Sequence, residues 1–449
     1  MSTSTRKQRP RQGSLLLGID HLIRIRSDQL SFYAHLKKSR GDVVRLRLGP
    51  YWIWYLFHPD AIEPVLTKQA GEFIRFRRMM DVLRQWNGDS LLLAEGHHWR
   101  DRRRKVLPAF QSRRLPAYGK LVVAETERLC EMVASKASRG GEVVFDVDQT
   151  MARLSLDIAI RTMFGADHPT LGHQIEMAVQ DLSDVAFAET TSLINIPRWL
   201  PLPIARRKDR AMKIMEEFVT GLVSTALQQP AGEGAHLISS LIEHHEGRVQ
   251  AIRDDAMSLL IAGHETSGAL LTWAFAMLTA FPVWLERAIE EVDTVVGSER
   301  PRASDLVRLP TIMAILQETL RLYPPAYTLF LREALRDVDI EGHRVRRGDL
   351  VQVIPYITQR DDRFFENAER FDPARFMGEA DWPPYAYLPF GAGPRVCIGQ
   401  NFGLMETGLV LATVLQRMVP APCDRLPKPM ARFSLRPAGG LVLKWRTRR

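Results

Sequence analysis

One segment restricts the fold more than any other: DDAMSLLIAGHETSGALLTWAFAMLTAF, from Asp254 to Phe281. It reads as one long helix, apolar on every side, and such a helix belongs inside a large protein. Its second half opens an uncharged stretch, Gly268–Trp284, which Pro282 breaks as it ends. Glu265 lies three residues upstream of that run, which suits a buried core helix better than a bilayer crossing. At the middle stand Ala262-Gly263-His264-Glu265-Thr266-Ser267. A glycine, an acid and a β-branched alcohol inside a buried helix are costly if structure is the only aim. A hydroxyl that bonds back to the i−4 carbonyl bends a helix and can open a groove beside it.

The rest of the chain fits a helical envelope. Amphipathic spacing predicts helices over 117–138, 147–163, 173–188, 206–228, 283–296 and 310–323, the last stopped by Pro324-Pro325, and an apolar helix over 398–418. Residues 42–57 read as a hairpin turning at Gly49-Pro50, and 327–355 carry short strands with a turn at Glu341-Gly342. The fold class is therefore mainly α with a small β portion. A length of 449 residues alone would allow about three domains, but no repeat or Gly/Ser/Pro linker divides the chain. The expected division is a basic tail and lead-in over 1–40, then one domain over 41–449.

The formal charge is +9, from 61 Lys and Arg against 52 Asp and Glu. Eight of those bases sit at the ends: Arg6, Lys7, Arg9 and Arg11, and Lys444, Arg446, Arg448 and Arg449. They are read as solvated tails, and without them the body is nearly neutral, which gives little support for nucleic-acid binding. The apolar stretch at Leu15–Leu17 is too short for a signal peptide or membrane anchor, so the expected location is the cytoplasm. Cys130, Cys397 and Cys423 are too few for a disulfide framework and form no C-x-x-C pair.

Cys397 stands in the most informative loop, Phe390-Gly-Ala-Gly-Pro-Arg-Val-Cys-Ile-Gly399. Its glycines let the backbone approach something flat and bulky, and a helix start beside a thiol favours the thiolate. A soft ligand with no second cysteine nearby suits a metal that brings its other ligands, as haem iron does. A buried structural thiol beside a turn is the alternative. The segment resembles the cysteine-ligand loop of the cytochrome P-450 family, F-x-x-G-x-R-x-C-x-G. The resemblance implies a single triangular-prism-like fold enclosing haem b. It makes Cys397 the iron ligand, pairs Arg395 with a propionate, packs Phe390 near the sulfur and includes Gly399.

Further segments resemble the family in its order. Glu318-Thr-Leu-Arg321 resembles the E-x-x-R helix, and Phe371-Asp-Pro-Ala-Arg375-Phe376 the segment supplying a second arginine to that glutamate. Glu318, Arg321 and Arg375 are then an architectural charge cluster. Trp99-Arg-Asp-Arg-Arg103 resembles W-x-x-x-R, which implies that Trp99 and Arg103, with Arg332, serve haem propionates. The bases Arg100, Arg102, Arg104 and Lys105 are either a solvated helix face or a dock for an acidic electron donor. The stretch Ala262–Ser267 resembles the oxygen-activating part of the family's distal helix, with Thr266 stabilising bound oxygen and Glu265 in proton delivery.

These parts imply a monooxygenase that puts one atom of dioxygen into an apolar small molecule, fatty-acyl, terpenoid or polyketide-like. Electrons would come from NAD(P)H through a ferredoxin or flavodoxin with its reductase. Family analogy places Met80, Leu83, Ala262, Tyr327, Leu329, Phe330 and Gly440 in the substrate pocket, with Met79, Trp86, Leu193, Ile194 and Ile261 as further candidates. A peroxide-driven peroxygenase keeps the same haem but tends to lose the acid–alcohol pair, which this chain retains. A haem-based sensor or carrier needs no such pair, and an isomerase reuses the same iron.

Overall fold

The structure is a computed structural model, describing residues 18–138, 141–165, 172–190, 203–228, 236–423 and 425–448. The chain enters through helices α1 (Ile19–Ser27) and α2 (Gln29–Arg40). Asp28 caps α2 by accepting from Ser31 N at 3.0 Å. Phe32, Tyr33 and Leu36 bury α2 against the first hairpin, so the later part of the lead-in is packed structure. That hairpin is β1 (Val43–Leu48) and β2 (Tyr51–Leu56), turning at Gly49-Pro50 with Leu48 opposite Tyr51.

Then come α3 (Pro59–Glu63), β3 (Phe73–Arg75), α4 (Arg77–Asn87) and α5 (Gly96–Val106). The helical body follows as α6 (Leu115–Ala134), β4 (Glu142–Asp146), α7 (Val147–Phe164), α8 (Gly172–Thr190), α9 (Pro203–Gln228) and α10 (Leu237–His244). It continues with the central α11 (Val249–Ala280), α12 (Pro282–Val295) and α13 (Pro310–Leu322). A second β region holds β5 (Arg332–Ala334), β6 (Val338–Ile340), β7 (His343–Val345) and β8 (Leu350–Val353), and ends in the short α14 (Pro355–Thr358). Last are α15 (Gln400–Arg417), β9 (Met418–Pro420), β10 (Pro429–Ala431), β11 (Leu435–Pro437) and β12 (Val442–Thr447).

Strands from both regions form one five-stranded sheet, in the order β1-β2-β8-β5-β3, while β6 and β7 pair only with each other. The β6–β7 turn puts Glu341 and Gly342 at φ 50° and 76°, the left-handed pair a tight hairpin needs. At the C-terminus the tail reading is corrected. β12 is the middle strand between β4 and β9, with Leu443 and Trp445 buried while Lys444 pairs with Glu142 at 2.8 Å. Alternating inward apolar and outward basic residues are a strand signature, and the bases masked it.

α11 crosses the core uninterrupted and lies along α7. The two backbones meet at Gly268, where a Cβ would stand 2.9 Å from Ala152 Cα, so no larger residue fits without displacing a helix. Trp273 stacks on Tyr323 at 4.0 Å and donates its indole N–H to Leu435 O at 2.9 Å, fixing α11 to α13 and β11. Among the described residues no single helix is long and apolar enough to cross a membrane.

Candidate active site

Between α11 on one side and the cysteine loop with the start of α15 on the other lies a cavity of about 590 Å³. Thr266, Ala262 and Gly263 line it from α11, and Phe390, Gly391, Arg395, Cys397 and Gly399 from the loop. Its walls are mostly apolar side chains, among them Phe110, Met163, Leu329 and Phe330.

The loop holds its shape through its own backbone. Cys397 N donates to Phe390 O at 3.0 Å and Val396 N to Gly393 O at 3.1 Å. Gly393 has φ 70°, and a Cβ there would sit 1.9 Å from Leu66 O, so only glycine lets the loop close against that segment. Gly399 caps α15, and a Cβ on it would lie 4.0 Å from Cys397 Sγ. The sulfur is accessible to the cavity while the surrounding protein encloses it. Burial raises the thiol above its ordinary range, against the pull of the Gly399 amide and Arg103. Burial here opposes the pull of the helix start toward the thiolate.

Along one edge of the cavity sits a ring of cations. Arg75 and Arg332 are directly opposite each other in the β3–β5 pair, a placement that like charges disfavour. Arg395 joins them, donating to Ala94 O at 2.8 Å and pairing with Glu95 at 2.5 Å. Burial and the neighbouring guanidiniums lower Arg75 to about 9 and Arg332 to about 10, with Glu95 opposing. Three guanidiniums thus share one nearby carboxylate, and Arg395 Nη1 is buried without a hydrogen-bond partner. Trp99 lies under this edge, with the Arg395 guanidinium 4.2 Å and that of Arg103 5.8 Å from its ring centre. The sequence named Arg332, Arg395, Trp99 and Arg103; Arg75, inside the run Arg75-Phe-Arg-Arg78, it did not distinguish from its neighbours.

The other bases of α5 are mostly engaged. Arg102 pairs with Asp89 and Asp255, and Arg104 and Lys105 both pair with Asp101. Asp255, fully buried, also accepts from His245 Nε2 at 2.8 Å and Leu91 N at 2.6 Å. Of this run Arg100 stays exposed at the cavity edge.

On α11, Thr266 Oγ1 donates to Ala262 O at 2.8 Å, which leaves its oxygen as an acceptor at the cavity wall. The helix stays continuous there; the opening comes from the missing side chain at Gly263, where a Cβ would meet nothing within 4 Å. Glu265 is not on that wall. It accepts from Ser434 Oγ at 2.8 Å and Ser183 Oγ at 3.2 Å, and Arg436 Nε lies 3.7 Å away. Burial alone would raise this carboxyl, but Arg436 and the two hydroxyls bring it below its ordinary range. His264 is buried, and desolvation lowers it to about 4, so it is neutral.

Away from the cavity, Glu318 and Arg321 form a fully buried bidentate pair at 2.7 and 2.8 Å. Arg375 Nε stands 3.4 Å from the same carboxylate, and Asp372 N donates to it at 2.8 Å.

Four of the seven substrate-pocket candidates need correction. Met80 and Leu83, like Trp86, turn into the core between α4, α8 and α11, because the apolar face of α4 is taken up by those helices. Tyr327 is buried elsewhere, its hydroxyl donating to Arg432 O at 2.9 Å. Gly440 lies in the turn before β12, where a Cβ would meet Asp146 Oδ2. Ala262, Leu329 and Phe330 do line the cavity, and Leu193 and Ile194 lie outside the described residues.

A thiol open to a cavity, a gap over a glycine and cations in excess of anions along one edge fit a flat metal macrocycle with acidic arms. The thiol would hold the metal, and Arg75, Arg332 and Arg395 would balance two carboxylates. Among the described residues no cluster of three His, Cys, Asp or Glu offers a competing metal site.

The site fits the class of haem-thiolate proteins, and the comparisons with known proteins bear on the family. The family model described as Cytochrome P450 matches residues 10–444. Cyclooctatin synthase of Streptomyces melanosporofaciens is 30% identical over 426 residues, 92% of this chain and 91% of its own. Cyclooctat-9-en-7-ol 5-monooxygenase of the same organism is 30% identical over 90% of this chain and 87% of its own. The Arabidopsis thaliana chloroplastic protein LUTEIN DEFICIENT 5 is 29% identical over 84% of this chain and 67% of its own. The chain belongs to the cytochrome P450 family. It is an oxidoreductase that incorporates oxygen, and the family implies haem, dioxygen and a redox partner.

Proposed function

We propose that the chain is a monooxygenase that inserts one atom of dioxygen into an apolar small molecule, using NAD(P)H electrons relayed by a ferredoxin or flavodoxin and its reductase. The observation that carries this reading is that Cys397 and Thr266 line one apolar cavity from opposite sides. Haem bound there supplies dioxygen binding and activation. The residues supply the rest. Cys397 Sγ would hold the iron as a thiolate, Arg75, Arg332 and Arg395 would anchor the acidic arms, and Trp99 would fix the Arg395 guanidinium by stacking. Leu329, Phe330 and Ala262 exclude water and press an apolar molecule toward the centre. Thr266 Oγ1, with its proton committed to Ala262 O, accepts a hydrogen bond at the oxygen side.

The cavity favours a compact hydrocarbon skeleton with few polar groups. One relative acts, by its name, on an unsaturated cyclic alcohol, cyclooctat-9-en-7-ol, and we extend that class to this chain. The test is turnover of a panel containing a long-chain fatty acid, a cyclic terpene alcohol and a macrolide. The runs use a ferredoxin, its reductase, NADPH and isotopically labelled dioxygen. The expected result is one labelled oxygen atom in the product of the cyclic alcohol. Label arriving only from added hydrogen peroxide would instead establish the peroxygenase.

A further inference from the structure

Among the described residues six hydroxyl side chains line the cavity, and five already spend their proton on the protein. Thr162, Thr266 and Thr407 stand on helices and donate back to the i−4 carbonyls of Ile158, Ala262 and Gly403 at 2.7, 2.8 and 2.7 Å. Tyr118 Oη donates to Ala109 O at 3.2 Å, and Ser267 Oγ to Oε2 of Glu406 on α15 at 2.8 Å. Burial raises the Glu406 carboxyl to about 8, and its other oxygen, though unpartnered, is buried out of a ligand's reach.

The sixth is Thr328, and it differs for a local reason. It lies between α13 and β5, outside any helix, so no i−4 carbonyl stands over its hydroxyl. Among the described residues nothing else meets Thr328 Oγ1, and the oxygen is open rather than buried. The backbone that carries it is pinned on both sides. Tyr356 N donates to Tyr327 O at 3.2 Å and Leu329 N to Val353 O at 3.0 Å, while the Tyr327 hydroxyl donates to Arg432 O at 2.9 Å. Tyr327 and Leu331 turn into other clusters, and Ala326, Thr328 and Phe330 face the cavity. The hydroxyl is thus a fixed donor set between two apolar side chains.

A neutral donor held in apolar surroundings selects by chemistry. An alcohol or carbonyl oxygen satisfies it, whereas a plain hydrocarbon seated against it leaves it unpaired. A carboxylate is matched better by a cation, and the buried guanidiniums of this cavity stand along the edge with Glu95. We propose that Thr328 Oγ1 donates a hydrogen bond to an oxygen the substrate already carries, and so decides which carbon of the apolar skeleton is turned toward the centre. The substrate is then a cyclic alcohol or ketone rather than a bare hydrocarbon or a fatty acid. The reaction that supplies it must leave oxygen on the skeleton, as a cyclisation closed by water or an earlier oxygenation does. The proposal rests on the monooxygenase reading, because the anchor acts by choosing the site of oxidation.

The test is binding of three matched pairs to the haem-loaded protein: menthol and p-menthane, cedrol and cedrane, cyclododecanol and cyclododecane. Binding is read from the change in haem absorption in the parent, in Thr328→Val, which keeps the shape without the hydroxyl, and in Thr328→Ser. The parent should bind at least one alcohol about five- to tenfold tighter than Thr328→Val does, with the matching hydrocarbon unaffected. Thr328→Ser keeps the donor and should restore the affinity. Both variants should melt with the parent, since the hydroxyl supports no contact in the fold. With labelled dioxygen the label should enter one position in the parent and several in Thr328→Val. A parent that binds none of the alcohols, alcohol affinities that Thr328→Val leaves unchanged, or hydrocarbons weakened as much as alcohols would each overturn the proposal. No label in any product while the alcohol preference persists would overturn the monooxygenase reading alone, because binding is read without turnover.

Discussion

Arg321 and Arg395 are both buried guanidiniums on glutamates, yet they are completed differently. Arg321 directs all five of its N–H groups to the chain: two to Glu318, and three to the carbonyls of Gln359, Ala368 and Arg370. Arg395 pairs with Glu95 but leaves Nη1 buried and unpartnered, beside Arg75 and Arg332, which add charge without adding anions. Closed clusters serve the fold. Open ones are completed by a ligand, and here the missing counter-charge matches a dianion. The same contrast separates Glu265, closed by Arg436 and two serines, from Glu406, with one oxygen unmet.

The sharpest way to break this comparison is Glu318→Gln. It leaves Arg321 and Arg375 facing a neutral amide in the interior, and should destabilise the fold by about 3–5 kcal/mol. Urea unfolding reads this directly, and an unchanged midpoint would mean that the closed cluster carries no stability. Arg75→Leu is the counterpart at the open edge. Haem retention should weaken about 10- to 100-fold through the loss of a charged hydrogen bond. The apoprotein should melt at the same temperature or higher, because a repulsive buried charge is gone; haem-transfer rates to apomyoglobin and calorimetry check both halves.

Thr266→Ala should cost the fold little, since its hydroxyl only bonds back along its own helix. Its effect should appear as a several-fold rise in hydrogen peroxide released per NADPH consumed. The smallest effect is on the pH dependence of stability. Glu406 has a folded pKa near 8 against an ordinary 4.5. The folded state therefore binds its proton more tightly, so this group's contribution to stability is complete below about pH 4.5 and is lost as pH rises toward 8. Glu406→Gln should flatten that part of the profile of the apoprotein.

How much of this was legible depended on whether the determining contacts were local. The β1–β2 hairpin is written in its turn, Gly49-Pro50, and the helices α6 to α9 and α11 to α13 in their spacing, because both signals lie within one element, whereas the short α10 was not read. β12 was not, since its reason to be a strand is pairing with β4 and β9, and Lys444 and Arg446 look like a tail until Leu443 and Trp445 are seen to face inward. In the same way Phe73-Ile-Arg-Phe-Arg-Arg78 does not say which arginine reaches the cavity; the β3–β5 register does. The cysteine loop and the Glu318 helix were readable as motifs. The partners of Glu265 come from α8, the β10–β11 turn and β11, and no spacing announces them. Glu406 carried a signal that went unused: a lone acid in the otherwise apolar text of α15.

The central claim is that Cys397 binds haem iron as a thiolate inside this cavity. The most direct measurement is the absorption spectrum of the reduced, carbon-monoxide-bound protein, recorded beside Cys397→Ala. A strongly red-shifted Soret band in the parent that disappears in the variant is the result this account predicts. An ordinary histidine-haem spectrum in the parent, or a well-folded protein that takes up no haem, would contradict it.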